Sequence, residues 1–220
     1  MLLDLLVPRR CAACGRLGVA ICARCLAELP RLRGPCCARC GAPTAWPVAR
    51  CLECAGRRLA FAAARSAVAY LGPVRPLVSA WKEHGLRHLA EEAADVIAKT
   101  VERPSVAALA FVPPDSDRSV KRGHHPAKRL ARELSIRWEL PVLDALGRAR
   151  TPRPQRGLSL AERRRNVAGA FVAASSVPRL IGLVDDVYTT GSTASAAASA
   201  LRRAGARRVS VVTFARAVRQ

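Results

Sequence analysis

Two adjacent carboxylates precede a run of small hydroxyl residues near the end of the chain. Residues 181–201 read IGLVDDVYTTGSTASAAASAL. The apolar stretch 181–184 predicts a strand buried on both faces, and the Ala-rich end predicts a helix. Burying Asp185 or Asp186 costs free energy unless a partner compensates. The pair therefore indicates a ligand that offers hydroxyl groups.

The turn after the two acids has the composition of an anion site. Thr189, Thr190, Gly191, Ser192 and Thr193 lie where a helix is predicted to begin, and backbone N–H groups at a helix start attract anions. Carboxylates that accept from two neighbouring hydroxyls, next to a phosphate cradle, match a ribose 5-phosphate. The P-loop of ATPases is excluded because the chain has no GxxxxGK(S/T) motif. An ordinary strand–turn–helix explains neither both acids nor the hydroxyl run.

The cysteines form a second group of residues that could do chemistry. All nine lie within residues 11–54, and eight of them make four CxxC pairs, with Cys36 left over. Each pair can place two thiolates on one turn, and two turns complete a tetrahedral zinc site. We predict two structural Zn²⁺ sites, preferably by sequential pairing because it closes short loops. The predicted ligands are Cys11, Cys14, Cys22, Cys25, Cys37, Cys40, Cys51 and Cys54.

Three alternatives remain open for the cysteines. Interleaved pairing is compatible with the spacing, and a redox pair or an iron–sulfur cluster could use some of the same thiols. The cysteine-rich segment itself could bind nucleic acid, or its metal sites could only stabilise a small domain that cannot bury a core of its own.

The chain is strongly basic. Lys and Arg total 37 against 16 acids, which gives a formal net charge of +21. Each loaded Zn(Cys)₄ site carries a formal −2, so two sites lower the total by 4 to +17. This charge favours polyanions, namely nucleic acid, phosphorylated metabolites or an anionic membrane surface, although it is also compatible with a basic surface of no specific role.

The sequence predicts a cytoplasmic protein. It has no transmembrane segment, because no stretch approaches the roughly 18 apolar residues that a membrane helix needs. The beginning, MLLDLLVPRR, is not typical of a signal peptide, since Asp4 comes early and the arginines come late. In the cytoplasm thiols stay reduced, which again favours metal over disulfides.

Strands and helices alternate after the cysteine-rich part. The predicted strands lie in 61–71, 106–112, 141–146, 171–172, 181–184 and 207–214, and the predicted helices in 77–98, 128–137 and 192–204. This alternation predicts an α/β fold with a mainly parallel sheet. Ligands of such sheets bind beyond the carboxyl ends of the strands, where we expect Asp185 and Asp186. A change of composition near residue 58 predicts two domains, a small zinc-binding domain over 1–58 and the α/β domain over 59–220.

Taken in order, these motifs resemble the ComF family of competence-associated, phosphoribosyltransferase-like proteins. VDDVYTTGST is similar to the phosphoribosyl pyrophosphate (PRPP) signature of type I phosphoribosyltransferases. The resemblance covers nearly the whole chain. Its other elements are the cysteine pairs at 11–54, YLGP at 70–73, Lys82, the stretch 112–123, the stretch from Gln155 to Phe171, and GAxxVxVxTxAR from Gly205 to Arg216.

The resemblance implies a type I phosphoribosyltransferase-like sheet with flanking helices after a small zinc ribbon, and it implies residue roles. Asp185 and Asp186 would hold the ribose 2- and 3-hydroxyls, and residues 189–193 would cradle the 5-phosphate. The loop after residue 112 would bind pyrophosphate with Mg²⁺. The expected contacts there are Lys121, Arg122 and Gly123, with Arg122 acting in catalysis alongside the two acids. A further set, in a segment resembling the flexible hood, consists of Gln155, Arg163 and Asn166. Family members often read RGFNQ where this chain reads RGHHP at 122–126.

Two functions follow from the resemblance. The first is a Mg²⁺-dependent phosphoribosyltransferase, in which a nucleophile displaces pyrophosphate from the ribose C1 through an oxocarbenium-like transition state. The protein would contribute positioning and charge neutralisation, and the acceptor stays open. The second is a non-catalytic factor in DNA uptake that would bind single-stranded DNA through the zinc ribbon and the basic surface, with PRPP as a regulator or a relic.

Overall fold

The computed structural model describes residues 10–83, 86, 88–114, 125–149, 169–174 and 176–218. These contain seven named strands: β1 (Ala63–Ala69), β2 (Ala108–Phe111), β3 (Val142–Leu143), β4 (Leu146–Arg148), β5 (Phe171–Ala173), β6 (Leu180–Tyr188) and β7 (Arg208–Arg216). The helices are α1 (Ala23–Ala27), α2 (Val74–Glu83), α3 (Leu89–Thr100), α4 (Pro126–Trp138) and α5 (Ser192–Arg203). None of the helices in these ranges is both long and apolar enough to cross a membrane.

A parallel sheet organises the larger part of the chain. Its order is β1-β7-β6-β2-β3, and every neighbouring pair is parallel. The short strands β4 and β5 form a separate antiparallel pair. The predicted α/β fold with a mainly parallel sheet and flanking helices is therefore confirmed.

The two faces of the sheet are covered by different elements. Val184 and Val212 pack with α2, α3 and α4, whereas their neighbours Leu183 and Val211 pack with α5. Adjacent residues fall into different clusters because successive side chains of a strand point to opposite faces. The near-continuous apolar sequence of β6 and β7 is what a strand buried on both sides requires.

The cysteine-rich segment lies directly against the sheet. Cys37, Cys40 and Cys54 share an apolar cluster with residues of β6, β7 and α5. Gly41 has φ +70°, and a side chain there would collide with the carbonyl oxygen of Ala64 in β1. The absence of a Cβ thus allows this turn to dock on β1.

Three predicted elements differ from the observed ones. The single helix expected over 77–98 is two helices, α2 and α3, which end and begin around residues 83–89. The region 141–146 contains β3 and the first residue of β4 instead of one strand. The strand predicted over 181–184 continues to Tyr188, because β6 stays paired with β7 as far as Arg216. Asp185 and Asp186 consequently lie within the paired part of β6 and not after the strand.

Candidate functional site

Two groups of four cysteines have the geometry of zinc sites. The first cluster is Cys11, Cys14, Cys22 and Cys25, and the second cluster is Cys37, Cys40, Cys51 and Cys54, with all sulfurs of a cluster within 4.8 Å of one another. In the second cluster, Sγ–Sγ distances of 3.5 Å join Cys37 to Cys54 and Cys40 to Cys51. Tetrahedral ligands at Zn–S of about 2.3 Å lie roughly 3.8 Å apart, so the sulfurs fit zinc. The eight predicted cysteines thus form two clusters with the predicted sequential pairing, and these fit two structural Zn²⁺ sites.

Backbone groups around the sulfurs favour thiolates. The N–H of Cys22 donates to Cys11 Sγ at 3.4 Å, and the N–H of Cys51 donates to Cys37 Sγ at 3.3 Å. Burial opposes ionisation of Cys11 and Cys37, but these and other backbone N–H groups lower the pKa of both thiols to about 6. Burial raises the pKa of Cys25 and Cys40, so all four sulfurs of a cluster need a bound cation to be thiolates together.

The two acids of β6 have different surroundings. Successive side chains leave a strand on opposite faces, and accordingly Asp186 Oδ1 lies 2.7 Å from Lys82 Nζ of α2. Asp185 instead lines a small cavity beneath the turn that follows β6. Burial alone would lower the pKa of Lys82, but the charges of Asp186 and then Asp185 raise it. Lys82 is therefore a firmly charged partner of the acid pair.

The carboxyl group of Asp185 is poised to carry a proton near neutral pH. Burial raises its pKa to about 7, and the charge of Asp186 adds to this, while Lys82 and Arg148 oppose it. Its Oδ1 accepts the backbone N–H of Asp186 at 2.9 Å. Below about pH 7 the Asp185 carboxyl group is therefore mostly protonated. The acid pair then offers both a hydrogen-bond donor and acceptors to a polyhydroxyl ligand.

The turn between β6 and α5 brings the predicted hydroxyl residues together. The Oγ1 of Thr190 and the Oγ of Ser192 are 2.9 Å apart. Gly191 is the N-cap of α5 with φ +73°, and the N–H of Ser192, the first residue of the helix, donates to Thr190 Oγ1 at 3.4 Å. A side chain at Gly191 would collide with the ring and hydroxyl of Tyr188. The backbone N–H groups of a helix start and two hydroxyl groups therefore lie together at this turn, a combination that stabilises an anion.

The cavity under this turn holds a water-sized group and nothing larger. Its volume is about 20 Å³, and its lining includes Asp185, Tyr188, Thr189, Thr193 and Thr213. One water requires roughly 10–15 Å³ on this measure, so a sugar phosphate would lie above the turn rather than in the cavity.

Sequence reasoning assigned no role to four residues near the site. Lys82 pairs with Asp186, as described above.

The other three residues make contacts with the backbone. Arg148 Nε donates to the carbonyls of Pro113 at 3.2 Å and Pro114 at 2.9 Å, which connects β4 to the segment after β2. His125 Nδ1 accepts the N–H of Lys128 at 3.2 Å, so this residue caps α4. The fourth residue is Arg216, which contacts the second cluster through Cys40.

His125 acts in structure and carries no charge at neutral pH. Its ring lies edge-on to Phe111 with centroids 5.0 Å apart. Burial and the nearby charge of Lys128 lower its pKa to about 4. The signal that could have revealed the cap is the order His125-Pro126, since proline is favoured at the first helical position.

Six of the predicted site residues lie outside the described residues. They are Lys121, Arg122, Gly123, Gln155, Arg163 and Asn166. Their expected contacts with pyrophosphate, Mg²⁺ and the substrate stay predictions.

Comparison with known proteins agrees with this architecture. Residues 2–56 match the model of the double zinc ribbon domain family. The chain is 30% identical over 224 residues to Competence protein F of Haemophilus influenzae, covering 94% of this chain and 97% of that relative. With similarity over almost the full length of both chains, and with both cysteine clusters formed, this protein belongs to the ComF family.

Proposed function

We propose that the chain binds PRPP at the turn between β6 and α5 and acts as a phosphoribosyltransferase-like protein of competence. The observation that carries this proposal is the joint position of the acid pair and the glycine-capped start of α5 at the carboxyl end of the central strand β6. A phosphate held by residues 189–193 would place ribose hydroxyls near Asp185 and Asp186. The relative's name, Competence protein F, supports the link to DNA uptake. The reduced thiols that both clusters need support a cytoplasmic location.

The residues at hand supply positioning and charge. The N–H groups of the α5 start and the hydroxyls of Thr190 and Ser192 would orient the 5-phosphate. Lys82 lies against Asp186 in the ligand-free protein and would offset the charge of the pair while the hydroxyls bind. Asp185, with its pKa near 7, could hold or release a proton as a ribose hydroxyl docks. Mg²⁺ would arrive with the pyrophosphate group, whose expected contacts at 121–123 lie outside the described residues.

The test is isothermal titration of the purified protein with PRPP and Mg²⁺. Thr190→Val removes one hydroxyl of the phosphate turn, and a hydrogen bond to a charged group is worth about 1.5–3 kcal/mol, so the affinity should drop roughly ten- to a hundredfold. Thr100→Val is the matched control, because the Thr100 hydroxyl is buried in α3 without a partner among the described residues. If the wild-type protein shows neither a heat of binding nor a shift of its melting temperature at millimolar PRPP and Mg²⁺, the proposal is wrong. Turnover is then tested by pyrophosphate release with candidate nucleobase, amine and nucleic-acid acceptors.

A second candidate function is binding of single-stranded DNA. It is favoured by the formal charge of +21 and by Trp46 of the ribbon, which is 69% exposed. Exposed aromatic rings stack on bases, and basic surfaces neutralise phosphates. Affinity for an oligothymidine should then fall with salt with a log–log slope of about −0.7 per phosphate contact. Trp46→Ala should weaken binding more than Ile136→Ala, a change at an equally exposed apolar residue of α4.

A further inference from the structure

Arg216 is a buried cation that joins the second cysteine cluster to the sheet. It is the last residue of β7 and has no exposed surface. Its Nη1 donates to the carbonyl oxygen of Cys40 at 2.6 Å, and its Nη2 donates to Glu53 Oε2 at 2.6 Å. The same Nη2 lies 3.8 Å from Cys40 Sγ. A buried guanidinium is costly without such acceptors, so the ribbon determines where this side chain lies.

The other side of Arg216 supports the proposed phosphate turn. Its guanidinium carbon lies 4.6 Å from the centroid of the Tyr188 ring. Tyr188 pairs with Arg216 across the strands, and Ala217 N–H donates to the Tyr188 carbonyl at 2.9 Å. Tyr188 immediately precedes the turn, and its ring and hydroxyl occupy the space that a side chain at Gly191 would need. The position of the Tyr188 ring therefore limits the path of residues 189–191.

We propose that Arg216 is a positioning residue that couples metal loading of the second cluster to the shape of the phosphate turn. The proposal rests on the proposed function of residues 189–193 as an anion site. Four thiolates around Zn²⁺ carry a formal −2 next to Arg216. Loss of the metal reduces this charge and frees the turn of Cys40, so the guanidinium loses part of its anchor and Tyr188 loses part of its support.

The first cluster provides the internal comparison. It packs with Ala13 and Ile21, and Ile21 in turn packs against the apolar cluster that includes Leu77 and Trp81 of α2. This contact lies on the sheet face opposite to the second cluster. Zinc at the two clusters should therefore affect the phosphate turn unequally.

The main experiment compares one cysteine change in each cluster. Cys14→Ser and Cys51→Ser alter the more exposed ligands of their clusters, and zinc analysis confirms which chains retain one ion. PRPP affinity, measured with Mg²⁺, should fall about tenfold in Cys51→Ser and less than twofold in Cys14→Ser. Equal losses in the two variants would overturn the coupling.

Linkage supplies a measurement on chains with an intact second cluster. If metal at this cluster favours the bound turn, PRPP must favour retention of the metal. In Cys14→Ser, which retains only the second zinc, PRPP should protect this ion by raising the affinity of the second cluster for zinc about tenfold, measured at equilibrium in competition with a chelating dye. Introducing Arg216→Gln or Glu53→Gln into this background should remove most of that protection. Arg137→Gln is the matched control, because Arg137 of α4 is ion-paired with Asp95 of α3 and with Glu133 of its own helix. Protection that survives Arg216→Gln would contradict the role of Arg216.

Failure of PRPP binding can be separated from failure of the coupling. If wild type binds no PRPP, the proposed function is wrong, and hydrogen exchange of amides 189–193 then decides the coupling without a ligand. Faster exchange in Cys51→Ser and Arg216→Gln, but not in Cys14→Ser or Arg137→Gln, supports it. Unchanged exchange in Arg216→Gln overturns it.

Discussion

Asp185 should make the folded protein less stable as the pH rises. Its pKa is about 7 in the folded chain instead of 3.8, mainly through burial and then through the charge of Asp186. The folded state therefore keeps a proton that the unfolded chain releases between about pH 4 and about pH 7. Stability falls across this window and levels off above it. Asp185→Asn removes the effect, so the variant should gain on wild type as the pH increases.

The size of the stability gain follows from the pKa shift of Asp185 and from its exposure to solvent. A pKa change from 3.8 to about 7 corresponds to roughly 4 kcal/mol when fully expressed. Asp185 is half-buried, so solvent screens part of this effect. We therefore expect Asp185→Asn to stabilise the protein by about 2 kcal/mol at about pH 8 and by less at about pH 5.

Urea unfolding at several pH values from about 5 to about 8 measures this difference. Both proteins contain the same zinc clusters, whose own pH dependence cancels between wild type and variant. Asp144→Asn is the control, because Asp144 is an exposed carboxylate 2.8 Å from Lys128 Nζ, and its effect should stay within about 1 kcal/mol throughout. A pH-independent gain for Asp185→Asn, or a gain that shrinks as the pH rises, would refute the reasoning.

Three further predictions concern the same elements. Gly191→Ala should lower the free energy of unfolding in urea by about 2–3 kcal/mol and abolish phosphate binding, because the new side chain would collide with Tyr188. The control Gly169→Ala, with a similar φ of +74° but open space around it, should lower it by about 1 kcal/mol. Equal losses would contradict the contact with Tyr188. In a double-mutant cycle, Lys82→Gln and Asp186→Asn should couple by about 1–2 kcal/mol, because their 2.7 Å ion pair is largely shielded from solvent, and additive effects would argue against the pair. Zinc analysis should give two ions for wild type and for Cys36→Ser but one for Cys37→Ser, since Cys36 belongs to neither cluster; loss of zinc in Cys36→Ser would contradict this assignment.

Local sequence patterns were sufficient to predict the cysteine clusters and the mainly parallel α/β sheet. The CxxC spacing specifies turns that bring two sulfurs together, and short loops between pairs favour the sequential pairing that is observed. Strands β6 and β7 are apolar over most of their length because both faces are covered, which is a strong signal in a single sequence. The turn between β6 and α5 was predictable because its composition is specific and its residues are contiguous, whereas its role in phosphate binding stays a prediction.

Contacts between residues that are far apart in the sequence could not be predicted from local patterns. Nothing near Lys82 indicates that it meets Asp186, since α2 and β6 are brought together only by the packing of one sheet face. The extension of β6 through Asp185 was missed because acids are unfavourable in strands, and pairing with β7 overrides that preference. The break between α2 and α3 was missed because the apolar spacing continues across it.

The packing of the ribbon explains why a metal site can influence a distant turn. A small cysteine-rich segment has too few apolar residues for a core of its own. Here Cys37, Cys40 and Cys54 are buried in the same cluster as Leu183 and Leu201, so the second metal site contributes part of the core beneath α5. Cys40 and Glu53 anchor Arg216 at the end of β7, and Tyr188 lies between that cation and Gly191. Because close-packed interiors transmit displacements instead of absorbing them, a change in the second cluster has a direct route to residues 189–193. The first cluster packs on the opposite face of the sheet, so its metal can serve stability alone.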